Sequence, residues 1–181
     1  MLLGSEIGAA LAALQPLGVD VLGLNCSTGP AEMSEHLRHL SRFAEIGVGC
    51  MPNAGLPELT SDGARYPLGP EGLAEALRQY VGEFGLSLVG GCCGTTPEHI
   101  RQLAAAVAGR PIKERTVREI ATVSSLYSDV PLRQDTSYLS VGERTNANGS
   151  KAFREAMLAG DWNTCVDIVK GQYREGAHLL D

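Results

Sequence analysis

Apolar and polar residues alternate along the chain at two different intervals, and the switches between them outline a series of helices and strands. Ile7, Ala10, Leu11 and Leu14 recur at the i, i+3, i+4, i+7 interval of one helix face, which predicts a helix from Ser5 to about Gln15, ended by Gly18. A short apolar run, Val19 to Leu24, predicts a buried strand. Pro30 opens the next helix, with Met33, Leu37, Leu40 and Ala44 on one face. Ile46 to Met51 predicts a second strand, Glu58 to Gly69 a long polar loop, and Pro70 to about Phe84 a helix that aligns Leu73, Leu77, Tyr80 and Phe84. A third strand, Leu86 to Val89, runs into a helix that starts at Pro97 with Thr96 as its N-cap and carries Ile100, Leu103, Ala104 and Val107.

Three β-α units in series are the pattern of a parallel sheet with crossover helices. The stretch from Gly109 to about Asp135 breaks it: charged and polar residues dominate, with prolines at 111 and 131, and it reads as a partly ordered linker. Beyond it, Tyr138 to Val141 predicts a short strand, and Ser150 and Asp161 can cap two helices, the second with Trp162, Val166, Val169 and Tyr173 at helical spacing. His178 to Asp181 reads as the opening of another strand. The expected organisation is therefore 1–108 as one α/β domain, 109–135 as a linker and 136–181 as the start of a second domain.

The polar residues that matter sit where the strands end. Asn25-Cys26 follows the first strand, Pro52-Asn53-Ala54-Gly55 the second, and Gly90-Gly91-Cys92-Cys93-Gly94-Thr95 the third. Successive strand side chains point to opposite faces, so two adjacent cysteines can aim at one point only from a turn, which the flanking glycines permit. Two buried cysteines in a glycine-rich turn would be the plain explanation. The ends of parallel strands share one edge of the sheet, however, and that brings Cys26, Asn53, Cys92 and Cys93 to a common rim.

Composition narrows the chemistry. The chain has 181 residues, a net charge of −6 and 44% hydrophobic residues, which suits one or two α/β domains. The acidic balance and the absence of a basic patch argue against a nucleic-acid partner. No apolar run is long enough to span a membrane. The start, Met1-Leu2-Leu3-Gly4, lacks the basic and long apolar regions of a signal peptide, so a cytoplasmic location is expected. Five cysteines without a secretion signal favour metal binding or catalysis over a disulfide framework. Three cysteines on one rim suit zinc, which takes thiolates at about 2.3 Å in tetrahedral geometry and keeps one position open in catalytic sites. Three thiolates leave such a site with a net charge near −1, so a bound substrate thiolate stays nucleophilic, and the reaction implied is alkyl transfer to sulfur.

At these residues the chain resembles a known family. Asn25-Cys26, Pro52-Asn53-Ala54-Gly55 and Gly90-Gly91-Cys92-Cys93-Gly94-Thr95 are similar, in order and spacing, to the zinc-dependent homocysteine S-methyltransferases. That resemblance implies a (β/α)8 TIM barrel with Cys26, Cys92 and Cys93 as zinc ligands, and Asn53 as a fourth, oxygen ligand that homocysteine displaces. Gly142-Glu143-Arg144-Thr145-Asn146 resembles the opening strand and turn of a pterin-binding barrel, which implies that Glu143 and Asn146 contact methyltetrahydrofolate. A homocysteine barrel followed by a pterin barrel is the arrangement of the cobalamin-dependent methionine synthases. The implied function is methyl transfer to homocysteine, giving methionine, with the folate as donor by way of cobalamin carried on a further domain. Three strands of the first barrel and the opening of the second make neither barrel complete, so the chain is expected to be an internal piece of a longer protein, inactive alone. The alternatives are a structural zinc-binding α/β module, a single-donor homocysteine S-methyltransferase, or an inactive piece kept for interaction.

Other residues read as ordinary structure. Cys50, Trp162 and Tyr173 are expected in the core and Cys165 as a small packing residue on its helix. His36, His39 and His99 are expected on helix surfaces, His178 at the start of a strand, and Glu71 and Glu75 in solvent.

Overall fold

The computed structural model describes residues 4–61 and 63–181. Met1, Leu2 and Leu3, where the features of a signal peptide are missing from the sequence, lie outside the described residues. The chain is α/β and divides into two compact units, the first running through Ile120 with Ser124–Asp129 added, the second made of Ala121–Val123 and Val130–Asp181.

In the first unit, α1 (Ile7–Leu14) continues into a 3-10 turn, Gln15–Leu17, and ends on Gly18 in the left-handed conformation. There follow β1 (Val21–Asn25), α2 (Pro30–Phe43) and β2 (Gly47–Met51). Next come β3 (Glu58–Thr60), β4 (Gly63–Arg65), α3 (Pro70–Phe84), β5 (Leu88–Val89) and α4 (Pro97–Val107). The sheet is parallel with β2 in the middle: Leu22 pairs with Val48 and Leu24 with Cys50 on one side, Gly49 with Leu88 and Cys50 with Val89 on the other. β5 is shorter than the run Leu86 to Val89 predicts. Its ladder to β2 still extends from Ser87 N–H on Val48 O to Gly90 N–H on Cys50 O, while Leu86 is spent in the core.

The periodic faces explain the packing. Leu37, Leu40, Leu73, Leu77 and Leu86 are fully buried, and they enclose Val48 and Cys50 of the central strand. α3 and α4 pack side by side against one another, and α2 touches both α3 and the sheet. Glycine 85 ends α3 at φ +65, a conformation that disfavours a side chain, and its amide returns to Val81 O.

Two expectations change here. The segment 58–69 is not simply a loop: β3 and β4 pair as an antiparallel hairpin whose residues are exposed, so no apolar alternation betrays it. His99 is not on the surface but 6% exposed. Its Nδ1 accepts from Thr96 N–H at 3.2 Å, so the proton sits on Nε2, which donates to Leu68 O at 3.0 Å. Thr96 thus caps α4 with its own backbone tied to the third residue of the helix.

The stretch 109–135 holds regular structure. β6 (Thr122–Ser124) and β7 (Asp129–Pro131) form a two-stranded ribbon. Before it, Arg115 lies against the end of α2, and its guanidinium donates to Leu40 O at 3.3 Å, Ala44 O at 2.9 Å and Ile46 O at 2.5 Å. A cation at a helix C-terminus meets the negative end of the helix dipole; Leu40 O also accepts from the C-cap Ala44 N–H, while Ala44 and Ile46 lie just past the helix. Partial burial holds the Arg115 pKa below its usual value.

In the second unit, β8 (Val141–Gly142), α5 (Lys151–Ala159), α6 (Trp162–Arg174) and β9 (Leu179–Leu180) form a crossover in which β8 and β9 run parallel. β8 starts later than the expected Tyr138. Ser150 Oγ accepts from Phe153 N–H and Asp161 Oδ1 from Thr164 N–H, which makes both caps as read. The buried stripe of α6 centres on Cys165 and Gln172. Trp162 and Tyr173 flank that stripe and are 64% and 76% exposed, so neither is core. Cys50 and Cys165 are buried, as expected.

Replacing Arg115 with alanine removes three charge-assisted hydrogen bonds from the end of α2, and the Arg115→Ala chain is expected to lose about 2 kcal/mol of stability in urea unfolding.

Candidate metal centre

The rim at the carboxyl ends of β1, β2 and β5 is held by backbone hydrogen bonds that continue past the strands. Cys26 N–H donates to Met51 O at 3.0 Å and Asn53 N–H to Thr28 O at 3.0 Å, tying the first loop to the second. Cys92 N–H donates to Pro52 O at 2.8 Å and Ala54 N–H to Cys93 O at 2.9 Å, tying the second to the third. Within the third loop, Thr95 N–H and Thr95 Oγ1–H both donate to Cys92 O. The middle loop therefore serves both neighbours.

Cys26 and Ser27 are consecutive residues at φ +66 and +67, and they are the non-glycine residues of positive φ among those described. That conformation is costly for an L-residue. It turns the chain sharply at the strand end and delivers Cys26 over the rim.

The three thiols meet there. Cys26 Sγ lies 3.6 Å from Cys93 Sγ, and Cys92 Sγ 3.9 Å from Cys93 Sγ. All three sulfur atoms fall within 4.8 Å of one another, the one such group of potential ligands among the described residues. Four ligands at the zinc–sulfur bond length in a tetrahedron are about 3.8 Å apart, close to the two separations that Cys93 makes with its neighbours. Cys26 and Cys92 are half-buried and Cys93 is exposed, which leaves the cluster open on one side.

The thiols are not equivalent. The Ser27 backbone N–H, and then the neighbouring thiols of Cys92 and Cys93, pull the Cys26 pKa down. The adjoining Cys26 and Cys92 push that of Cys93 up. Cys50, one residue before the end of β2, is pushed up to about 12 by burial and stays a packing residue, with Sγ 3.8 Å from Met33 Sδ.

Asn53 is 2% exposed and stands beside the cluster. Its Oδ1 accepts from Cys93 N–H at 3.1 Å. Tyr66, immediately after β4, lies near Cys93, which with burial raises its pKa. Nothing in the sequence singles out Tyr66, which lies within a stretch that reads as a polar loop. The rim position of Asn53 was visible in its strand-end loop.

The residues read as pterin contacts lie in the second unit. Glu143 is exposed. Asn146 Nδ2 donates to Asp181 Oδ2 at 2.7 Å, and its Oδ1 accepts from Asn148 N–H at 2.9 Å. The turn that carries them hangs on Gln172, 2% exposed, whose Oε1 accepts from Arg144 N–H at 2.6 Å, and on Asp181, whose carbonyl accepts from Thr145 Oγ1. A glutamine on a helix face gives no sequence signal of that role. Arg144 also pairs with Glu175.

Residues 1–107 match the family model described as homocysteine S-methyltransferase. The methionine synthase of Mycobacterium tuberculosis (strain ATCC 25618 / H37Rv) is 68% identical over 181 residues, covering 100% of this chain and 15% of that protein. The methionine synthase of Mycobacterium leprae (strain TN) is 66% identical over 186 residues, again 100% of this chain and 15% of that protein. The chain thus spans about 15% of the length of these relatives.

Because Asn53 is the buried acceptor for Cys93 N–H, truncating it strands that amide. The Asn53→Ala chain is expected to be about 1 kcal/mol less stable in urea unfolding, the net worth of one lost hydrogen bond.

Proposed function

The chain belongs to the homocysteine S-methyltransferase family, and from that membership we propose that its thiol cluster is the zinc centre at which homocysteine accepts a methyl group to become methionine. The observation that carries this reading is the separation of the sulfur atoms, 3.6 and 3.9 Å, which suits a tetrahedral site. Cys26, Cys92 and Cys93 hold the metal. When bound, zinc lowers the pKa of an incoming thiol and keeps its sulfur as a thiolate at neutral pH. The three cysteine thiolates supply enough negative charge to leave that sulfur nucleophilic. The exposed side of Cys93 is where the substrate sulfur enters, which favours this reading over a structural staple with four protein ligands.

Asn53 is proposed as the displaceable oxygen ligand. An amide oxygen has two lone pairs. Cys93 N–H occupies one of them, and the second remains for a cation.

We read the first unit as the closing strands of a homocysteine-binding TIM barrel over 1–108, 109–135 as the linker, and 136–181 as the opening of a pterin-binding barrel. Glu143 and Asn146 there contact methyltetrahydrofolate. Cobalamin, the carrier between folate and homocysteine, belongs to another part of the whole protein. Among the described residues no helix is long and apolar enough to cross a membrane; the proposed location is the cytoplasm.

Metal analysis is expected to find one zinc ion per chain, falling by more than half in both Cys92→Ala and Cys93→Ala; unchanged content in both variants overturns the assignment. X-ray absorption of the zinc-loaded protein should show three sulfur scatterers, and Asn53→Ala should lose one oxygen scatterer while keeping most of the metal. The chain of 181 residues alone is expected to show no homocysteine-dependent demethylation of methylcobalamin, and measurable turnover would contradict that.

A further inference from the structure

Just past the cysteine doublet, His99 occupies the third position of α4, buried at 6% exposure, and both of its ring nitrogens are used. Nδ1 accepts from Thr96 N–H at 3.2 Å and lies 2.9 Å from Thr96 Oγ1, while Nε2 donates to Leu68 O at 3.0 Å. Leu68 N–H in turn donates to Ala54 O at 2.9 Å, and Ala54 N–H to Cys93 O at 2.9 Å. With the backbone from Cys93 to Thr96, these bonds close a ring through Cys93, Ala54, Leu68, His99 and Thr96. The turn inside the ring is tight: a methyl group built on Gly91 would overlap the Thr95 side chain, and Thr95 Oγ1–H donates to Cys92 O at 2.6 Å. The segment before α3 lies across the same turn, where a methyl group built on Gly94 would overlap Tyr66 Cβ and Cγ.

We propose that His99 is a positioning residue of the thiol cluster: by bridging Thr96 and Leu68 it closes the hydrogen-bonded ring that fixes where Cys93 presents its sulfur. The proposal rests on the zinc reading above for what that sulfur binds, and adds to it a residue that is not a ligand. A thiol carried on a glycine-flanked turn lies beyond the strand ladder, so its place is set by what holds the two ends of the turn. One end, Cys93 O, is held by Ala54 N–H; the other, Thr96 N–H, is held by His99. The imidazole joins these two anchors. One nitrogen accepts and the other donates, in different directions, so a side chain that does only one of these leaves the ring open. Leu68 passes the tie on, because its C=O takes the imidazole proton while its N–H goes to Ala54, and two directional bonds on one residue fix its orientation. Only half of this is local in sequence: the side chain that reaches back to the N-cap is an ordinary helix-start device, whereas the bond to Leu68 joins separate segments.

The test uses the whole chain in wild-type, His99→Asn and His99→Gln forms. The asparagine oxygen stands where Nδ1 stood and still accepts from Thr96 N–H, but its amide stops short of Leu68. The glutamine nitrogen extends as far as Nε2 and still donates to Leu68 O. In the metal-free chain, amide hydrogen exchange at Ala54 and Leu68 is expected to quicken about fivefold in His99→Asn, the worth of one hydrogen bond, and to return towards wild type in His99→Gln. Exchange at Ser87, whose N–H donates to Val48 O in the sheet, is expected to stay unchanged in both. In the chain loaded with Co2+, the visible bands of a tetrahedral site are expected to weaken in His99→Asn and recover in His99→Gln. His99→Asn equal to wild type would reduce His99 to a cap of α4 and overturn the proposal. So would faster exchange at Ala54 with an unaltered cobalt spectrum, because the ring would then not reach the sulfur. Equal disturbance in both variants, or Ser87 quickening along with Ala54, overturns it as well, and His99 then supports the fold in general. If wild type takes up no Co2+ or Zn2+, the zinc reading fails by itself, and the exchange rates, which need no metal, still decide whether His99 holds the doublet in place.

Discussion

Everything at the rim depends on one short run of backbone, Pro52 to Ala54, just past the central strand. Its carbonyl and amide groups accept from Cys92 and donate to Cys93, while Asn53 reaches Thr28 of the first loop with its backbone and Cys93 with its side chain. A sheet normally specifies positions only along its strands. Here the hydrogen-bonding pattern of β2 carries on into the loops, so both cysteine-bearing segments inherit the register of the sheet. The central strand can do this because it is buried on its helix-covered side, with Val48 and Cys50 enclosed by leucines of α2 and α3. Loss of packing under β2 would therefore be felt first at the thiols.

Much of this was legible in the residues. Helices α2, α3 and α4 announce themselves through strong apolar periodicity, a proline at the first helical position and, for α3, a glycine just past the end; α3 runs from Pro70 to Phe84 as read. The order of three strand-end motifs places Cys26, Cys92 and Cys93 on one edge, and their sulfur atoms do lie together. What the residues conceal has a physical cause in each case. The hairpin β3–β4 is solvent-exposed on both strands, with Leu59 93% exposed, so no hydrophobic contrast marks it. His99 is held inside by hydrogen bonds to Thr96 and Leu68, partners far apart in sequence, and local pattern carries no trace of the second. Trp162 and Tyr173 have helical spacing with Val166 and Val169, but the buried stripe of α6 runs through Cys165 and Gln172 instead. Spacing specifies a helix without specifying which face turns inward.

Polar groups do more of the organising than the composition suggests. Arg115 closes the end of α2, His99 links α4 to the segment before α3, and Gln172 supports the turn Gly142 to Asn146. Each is a long or branched polar side chain whose ends serve different segments. No buried side-chain nitrogen or oxygen among the described residues is left without a partner. A satisfied network of that sort fixes geometry more tightly than apolar contact, because hydrogen bonds are directional and their loss leaves a costly orphan.

The left-handed pair Cys26-Ser27 has a last consequence. Small zinc modules fold around their ion and collapse when it is taken away. In this chain the left-handed turn that presents the first thiol is held by the sheet's own hydrogen bonds, Cys26 N–H on Met51 O and Asn53 N–H on Thr28 O, so the fold itself carries the conformational cost.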